Sequence, residues 1–461
     1  MQSFTFQEIP YQANSENLFS LVRDLPDAIW LDSGKSRSTQ GRFDIISAVP
    51  DAIIETYGKL STISDSNGKT RSDKDPFKLA QELLEPLLPF DSSTSSSPFV
   101  GGLIGYFGYD LGRRLIDIQD KTSSATGLPD MRIGRYLWAL VIDHSARQCQ
   151  LVFHGNCTSE LRKKVIQRFA TPAVTSNAEA SFRLAEKFKA TLSKEQYQAS
   201  IRRIKDYIAS GDCYQTNFTQ HFSAPFEGDL WEAYLSLRDN VPSPYSAFWQ
   251  WQDQALLCLS PERFVQSVDG SVETKPIKGT ARRGATVAED TALSDRLVTS
   301  SKDRAENLMI VDLLRNDLSK NCKSGSIAVP KLFELESFAN VHHLVSTVTG
   351  KLNTDSTPLG LLRDCFPGGS ITGAPKKRAM QIIEELEPVK RSAYCGSIGY
   401  ISANNRMDSN IAIRTVIADH GELHCWGGGG IVADSQEDRE YEESIDKIRA
   451  LLIALETFYE K

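Results

Sequence analysis

The chain has no pair of cysteines at metal-finger spacing. Its eight cysteines stand at positions 149, 157, 213, 258, 322, 365, 395 and 425 without one C-x-x-C, so neither a zinc site nor a disulfide framework is expected. It has no apolar run long enough to cross a bilayer, since Tyr136–Ile142 is only strand-sized. The opening residues, Met1 to Glu8, lack the basic and apolar regions of a secretory signal. Positive charge is not in excess either. Fifty-two Lys and Arg against 59 Asp and Glu give a net charge of −7, without the footprint of a nucleic-acid binder. These absences predict a reduced, soluble, cytoplasmic protein with no membrane and no nucleic-acid partner.

With 40% hydrophobic and 24% charged residues, the 461 residues suffice for a large core. Asp91–Pro98 and Thr171–Ser181 are polar interruptions, and the second divides the chain into regions 1–180 and 190–458. The first region reads as strands with few helices. Gly101–Tyr109 is expected to be a glycine-rich strand pair, its glycines allowing close backbone approach. Leu137–Ile142 and Gln150–His154 are expected to form a hairpin. The second region opens with a helix over Ser193–Ser210, with Tyr197, Ile201, Ile204 and Ile208 on one face and Gly211 as the stop. Strands and helices then mix without βαβ alternation. The predicted class is α+β, two packed antiparallel sheets with outer helices.

The most informative segment is Pro276-Ile277-Lys278-Gly279, where proline and glycine fix the backbone around one lysine. A desolvated lysine loses its proton more readily and becomes a nucleophile. In isolation such a lysine reads as a surface turn residue. Two helical segments carry acids three apart: Asp303 and Glu306, then Glu440 and Glu443, with Lys447 four further on. Residues at i, i+3 and i+7 share a face, so each helix can aim two carboxylates at one place. Hard oxygen ligands of this kind suit magnesium. Solvated helix surface is the ordinary alternative.

Cys425–Val432 contains four consecutive glycines, expected to form a bend whose amides hold a carboxylate, or else a flexible hairpin linker. Phe366–Arg378 leads into a helix and is expected to offer amides or Ser370 to an anion at its N-terminus, with Lys376 to Arg378 as a solvated face. Ile411–Val416 reads as a strand carrying Arg414 as a carboxylate clamp or a surface residue. His342 and His343 lack metal spacing and read as structural.

Taken in chain order, Gly211–Asn217, Ser260–Phe264, Lys275–Thr280, Asp303–Glu306, Arg315–Asp317, Phe366–Pro375, Tyr394–Tyr400, Ile413–Thr415, Gly427–Gly430 and Glu440–Glu443 resemble the chorismate-utilising enzymes. Arg42–Ile45 and Gly101–Leu115 extend the likeness into the first region. Anthranilate synthases of that family usually carry alanine where Lys278 stands. Isochorismate and salicylate synthases carry a lysine base where Gln215 stands. Lysine at the first position with glutamine at the second resembles the branch that aminates carbon 4.

The resemblance implies Glu262 as general acid and Lys278 as nucleophile. It implies magnesium held by Glu306 and Glu443 directly, and by Asp303 and Glu440 through water. Tyr394, Arg414, Gly428, Gly430 and Lys447 would hold the enolpyruvyl carboxylate of chorismate, with His343, Thr280, Ser370 and Gln215 nearer the ring. Ammonia would come from a separate glutamine amidotransferase subunit. Ser33, Arg42, Phe43, Pro244, Tyr245 and Ser246 fall where the family has an amino-acid pocket, implying a tryptophan-like effector. Anthranilate synthesis is the alternative if Lys278 is a bystander.

Overall fold

The computed structural model describes residues 4–34, 41–88, 96–170, 181–338 and 341–459. The Thr171–Ser181 junction lies outside them except for its last residue, as do residues 91–95 of the first polar interruption. Two large sheets form the molecule, and every named strand pairing within them is antiparallel. Both take strands from each side of the 171–181 junction. In the first sheet Ile29–Asp32 lies beside Tyr245–Trp251. In the second, Gly102–Phe107 lies beside Ser397–Ser402. The two sequence regions are therefore interlaced in both sheets.

Period-two alternation explains how one strand serves two cores. Along Tyr245–Trp251, Ala247, Trp249 and Trp251 enter a core that includes Tyr106 and Phe107 of the second sheet. Phe248 turns the other way, against Phe19, Trp30 and Trp231. That second core lies under helices, among them Leu230–Asn240 and Glu437–Glu456, which lend Tyr234, Leu237, Ile448 and Leu451. Strands buried on both faces read as continuous apolar runs, as these do.

Several local expectations hold. Trp138–Asp143 and Gln148–His154 pair as a hairpin. The Lys194–Ala209 helix starts with a capping box between Ser193 and Gln196, and Gly211 follows it at φ +82°. All eight cysteines are unbridged.

Others are corrected. Gly101–Tyr109 gives one strand, Gly102–Phe107, rather than a pair. Its glycines do serve close approach: a Cβ on Gly105 would fall 2.2 Å from the Arg132 carbonyl oxygen. The glycine run 427–430 is no bend. It lies within the Glu422–Ile431 strand, paired residue for residue with Gln220 to Asn217. A helix lies directly on one face of the strand, at Gly427 and Gly429, while Gly428 and Gly430 are crowded by Phe218, Thr219 and Gln215. A Cβ on Gly427 would fall 2.1 Å from the Ser444 carbonyl oxygen of the Glu437–Glu456 helix. Ile411–Arg414 is not strand, which begins at Thr415, and Arg414 sits at φ +50°. Ser370 belongs to a short 3-10 turn, Gly369–Ile371, and not to the N-terminus of the Lys376–Leu386 helix. Lys376 is not a solvated residue; its ammonium pairs with buried Asp317 at 2.7 Å.

Candidate active site

Lys278 owes its position to an irregularity. The Ile277–Arg282 strand pairs with Val341–Lys351 through Ile277↔Val345 and Thr280↔His343, and the register shifts between them. Bulges of this kind re-aim side chains. Gly279 sits at φ +84°, and a Cβ there would come within 3.0 Å of Asp303 Cγ, so the bulge brings Lys278 against the Ser301–Ser319 helix. The half-buried Lys278 donates from Nζ to the Ser370 carbonyl oxygen at 3.1 Å. Burial pushes its amine below the ordinary lysine range. Glu306 opposes that most strongly, and the Lys447 charge acts with burial.

Glu262 meets the same turn. It is 5% exposed. Its amide donates to Ser260 Oγ at 3.2 Å and its carbonyl accepts from the Ile411 amide at 3.0 Å. Burial pushes its carboxyl up to about 7, against the pull of a Ser370 hydrogen bond and the Lys278 charge. Ser370 thus touches both the amine and the acid.

The two acid-bearing helices face each other. Lys302 Nζ lies 3.9 Å from Glu306 Oε1 on its own helix and 3.4 Å from Glu440 Oε1 on the other. Glu440 also accepts from Ser435 Oγ at 2.7 Å. Lys447 pairs with Glu443 at 2.7 Å, and its charge is the main reason that the Glu443 carboxyl is held below its ordinary range. Glu440, Glu443 and Lys447 share one face, as the spacing predicts. All three lie over Gly429, whose missing Cβ would be 3.2 Å from Glu443 Oε1 and from Lys447 Nζ. Burial raises the Glu306 carboxyl, against Lys278 and Lys302.

Among the described residues no three His, Cys, Asp or Glu side chains close into a metal cluster. The donors present are nonetheless carboxylates from two facing helices. They fit a hard cation that takes one or two protein carboxylates and completes its shell with water and an anionic ligand.

Around this centre Thr280 Oγ1 lies 2.9 Å from His343 Nδ1. Burial, helped by the Arg414 charge, pushes His343 down to about 3. The half-buried Arg414 guanidinium has no hydrogen-bond or ion-pair partner among the described residues, and burial lowers its pKa. Gln215 is buried with both amide atoms unpartnered among the described residues, and its Nε2 occupies the space that a Cβ on Gly430 would need. Beyond Cys425 the glycine strand keeps one edge without a strand partner among the described residues, which leaves amides near Gly428 and Gly430 for a ligand even though the bend is absent. Tyr394 is buried with its ring stacked on Trp426 at 5.7 Å, and no described hydrogen bond joins it to Lys278, Glu262 or the four acids.

Sequence reasoning missed two groups. Lys302 reaches an acid 138 residues further along the chain, beyond any spacing rule. Glu387 and Arg391 form a buried pair that accepts from the Thr219 amide and donates to the Asn217 and Ile371 carbonyls. No spacing rule signals that pair, because Glu387 closes the Lys376–Leu386 helix and Arg391 lies beyond it.

The residues expected at an effector pocket converge elsewhere. Arg42, Phe43, Pro244, Tyr245 and Ser246 line a cavity of about 430 Å³ between the sheets. Ser33 does not line it; its amide and hydroxyl donate to buried Asp44 at 2.8 and 2.6 Å.

Residues 26–453 match the family model for chorismate binding enzymes. The chain is 43% identical over 445 residues to aminodeoxychorismate synthase component 1 of Escherichia coli K12, covering 96% of this chain and 97% of that one. It is 34% identical over 457 residues to anthranilate synthase component 1 of Acetivibrio thermocellus, covering 95% and 92%. The crystal structure of anthranilate synthase component I from Streptococcus pneumoniae TIGR4 superposes with a TM-score of 0.79 at 32% identity, over 90% of this chain and 93% of that one. With a match that runs through Glu262, Lys278 and both acid helices, the chain belongs to the chorismate binding enzymes.

Proposed function

We propose that this enzyme replaces the carbon-4 hydroxyl of chorismate with an amino group and keeps the enolpyruvyl ether, the product that the name aminodeoxychorismate synthase describes. The observation that carries the reading is the pairing of Lys278 and Glu262 on Ser370, with burial moving the amine down and the carboxyl up. Opposed shifts in neighbouring groups favour an uncharged base beside a protonated acid. Glu262 gives its proton to the departing carbon-4 oxygen, which leaves as water. The Lys278 amine bonds to ring carbon 2 as both conjugated ring double bonds shift by one bond, the second ending at carbon 4 as its bond to oxygen breaks. Ammonia then bonds to carbon 4, the two double bonds shift back, and the carbon–nitrogen bond to Lys278 breaks. Proton transfers restore Glu262 and the neutral amine. Two displacements thus return the substituent to its original carbon.

Arg414, Lys447 and the free amides near Gly428 and Gly430 would hold the enolpyruvyl carboxylate, with Tyr394 at its margin. Thr280, His343 and Gln215 would flank the ring. Glu306 and Glu443 would hold magnesium directly, with Asp303 and Glu440 through water. When bound, the cation supplies positive charge to the ring carboxylate.

Ammonia would reach the site from a glutamine amidotransferase subunit, in keeping with the "component 1" of the relatives' names, and the product would feed p-aminobenzoate and folate synthesis. Eight unbridged cysteines suit the cytoplasm. The test uses the full chain with chorismate, magnesium and an ammonium salt at raised pH, without a partner, followed by mass analysis. A 4-amino product that becomes aromatic only after an added lyase is expected. A fluorescent aromatic amine formed without lyase would instead support the anthranilate reading, which the S. pneumoniae superposition keeps in view.

The cavity lined by Arg42, Phe43 and Tyr245 would take a tryptophan-like amino acid. Equilibrium dialysis against labelled tryptophan should find one retained ligand per chain; none retained removes this assignment.

A further inference from the structure

Helices that face each other with two acids apiece need a cation between them, and the chain supplies one. Lys302 leaves the Ser301–Ser319 helix and reaches Glu440 Oε1 of the Glu437–Glu456 helix at 3.4 Å, while Glu306 Oε1 lies 3.9 Å away. Glu440 is 4% exposed and Glu306 13% in their side chains, so both carboxylates are poorly served by water. Lys447 does not do the same work, because its ion pair is with Glu443 on its own helix. The Lys302 side chain is 45% exposed and has a four-carbon stem, so it can swing outward without disturbing the helix.

An ammonium and a divalent cation make the same demand on these oxygens, and at such distances they repel each other. We propose that Lys302 is a built-in occupant of the divalent-cation site. It ties the two helices together in the ligand-free enzyme and yields its place when the metal arrives. A metal ion entering alone must displace it. A metal ion entering with a dianionic ligand adds as much negative as positive charge. Lys302 therefore makes metal binding depend on substrate, and by linkage makes substrate binding depend on metal to the same degree. This inference rests on the magnesium assignment made above.

The test is the affinity of the full chain for the metal alone, read by calorimetry with Mg²⁺ and by electron paramagnetic resonance with Mn²⁺. Lys302→Met should bind either ion at least about tenfold tighter than the wild type when no chorismate is present, because the internal competitor is gone. Lys302→Arg should stay weak. The gain in metal affinity produced by chorismate, measured without ammonia, should shrink in Lys302→Met. Its thermal midpoint should fall without metal and recover when Mg²⁺ is added. If the methionine variant does not fold, Lys302→Gln takes its place. Equal or weaker metal affinity in the neutral variant overturns the role of Lys302. Should Glu306→Gln abolish metal binding in the same assay, that failure would be confined to Lys302. Metal binding indifferent to Glu306→Gln would remove the metal site and this inference with it.

Discussion

Lys278→Ala is expected to lower formation of the carbon-4 amine by at least about three orders of magnitude, even with saturating ammonium. The wild-type route splits one difficult exchange at carbon 4 into two allylic displacements. Without the amine, ammonia must enter at the carbon from which the oxygen leaves, and the acid alone must assist. The bulge that aims Lys278 turns at Gly279, whose φ is +84°, so alanine at 278 should leave the strand in place. The loss should therefore appear in turnover and not in folding. Chorismate binding should change little, because the carboxylate-holding groups assigned above remain. The check is product mass against time at matched circular dichroism and matched thermal midpoint. Near-normal amine formation would sink the nucleophile assignment.

Glu262→Gln carries the second large effect, and its pH dependence separates chemistry from stability. The Glu262 carboxyl lies near 7 in the folded enzyme against an ordinary value of 4.5. As an acid it is competent below about 7 and loses its proton above. The Lys278 amine has the opposite need and gains competence as pH rises. kcat/KM at fixed free ammonia should therefore be bell-shaped, with a falling limb near 7 that belongs to Glu262. Glutamine removes the proton donor and should cost about 10²- to 10⁴-fold below about pH 7, a deficit that narrows above it as the wild-type acid loses its own proton. Stability moves the other way. A carboxyl raised on folding contributes its full stability below its unfolded value and loses it as pH rises through the folded one. A shift of this size corresponds to something on the order of 3 kcal/mol by pH 8. Glu262→Gln should thus be more resistant to urea than the wild type at pH 8, with the difference vanishing near pH 4. A constant difference across that range would contradict the buried, neutral acid.

Much of the fold and part of the site were legible in the chain. The acids at 303, 306, 440 and 443 could be placed on helix faces because helical period is a local property. The helix over 193–210 and the 137–154 hairpin were readable for the same reason. Lys278 stood out through its two neighbours, which act on backbone geometry within one residue.

The glycine run misled because composition cannot distinguish a bend from a strand on which a helix lies. What decides is the Ser444 carbonyl of a distant helix against Gly427. Arg414 was read as a strand residue because a non-glycine residue at φ +50° is not announced by its type. Lys376 looked solvated because its partner, Asp317, is 59 residues away. Lys302 drew no reading for the same reason, since its partner Glu440 is 138 residues away.

The interlacing of the two chain regions has a consequence for synthesis. Ile29–Asp32 emerges early from the ribosome, yet its neighbour Tyr245–Trp251 is made more than two hundred residues later. Gly102–Phe107 waits longer still for Ser397–Ser402. Each has an early neighbour on its other side, Phe43–Ser47 and Met131–Tyr136, so through much of translation the nascent polypeptide carries two apolar strands with one edge still unpaired, the kind of exposed edge on which misassembly begins. This protein is built to be finished before it is folded, and its yield in a cell should depend on chaperones that hold those edges until the last third of the chain appears.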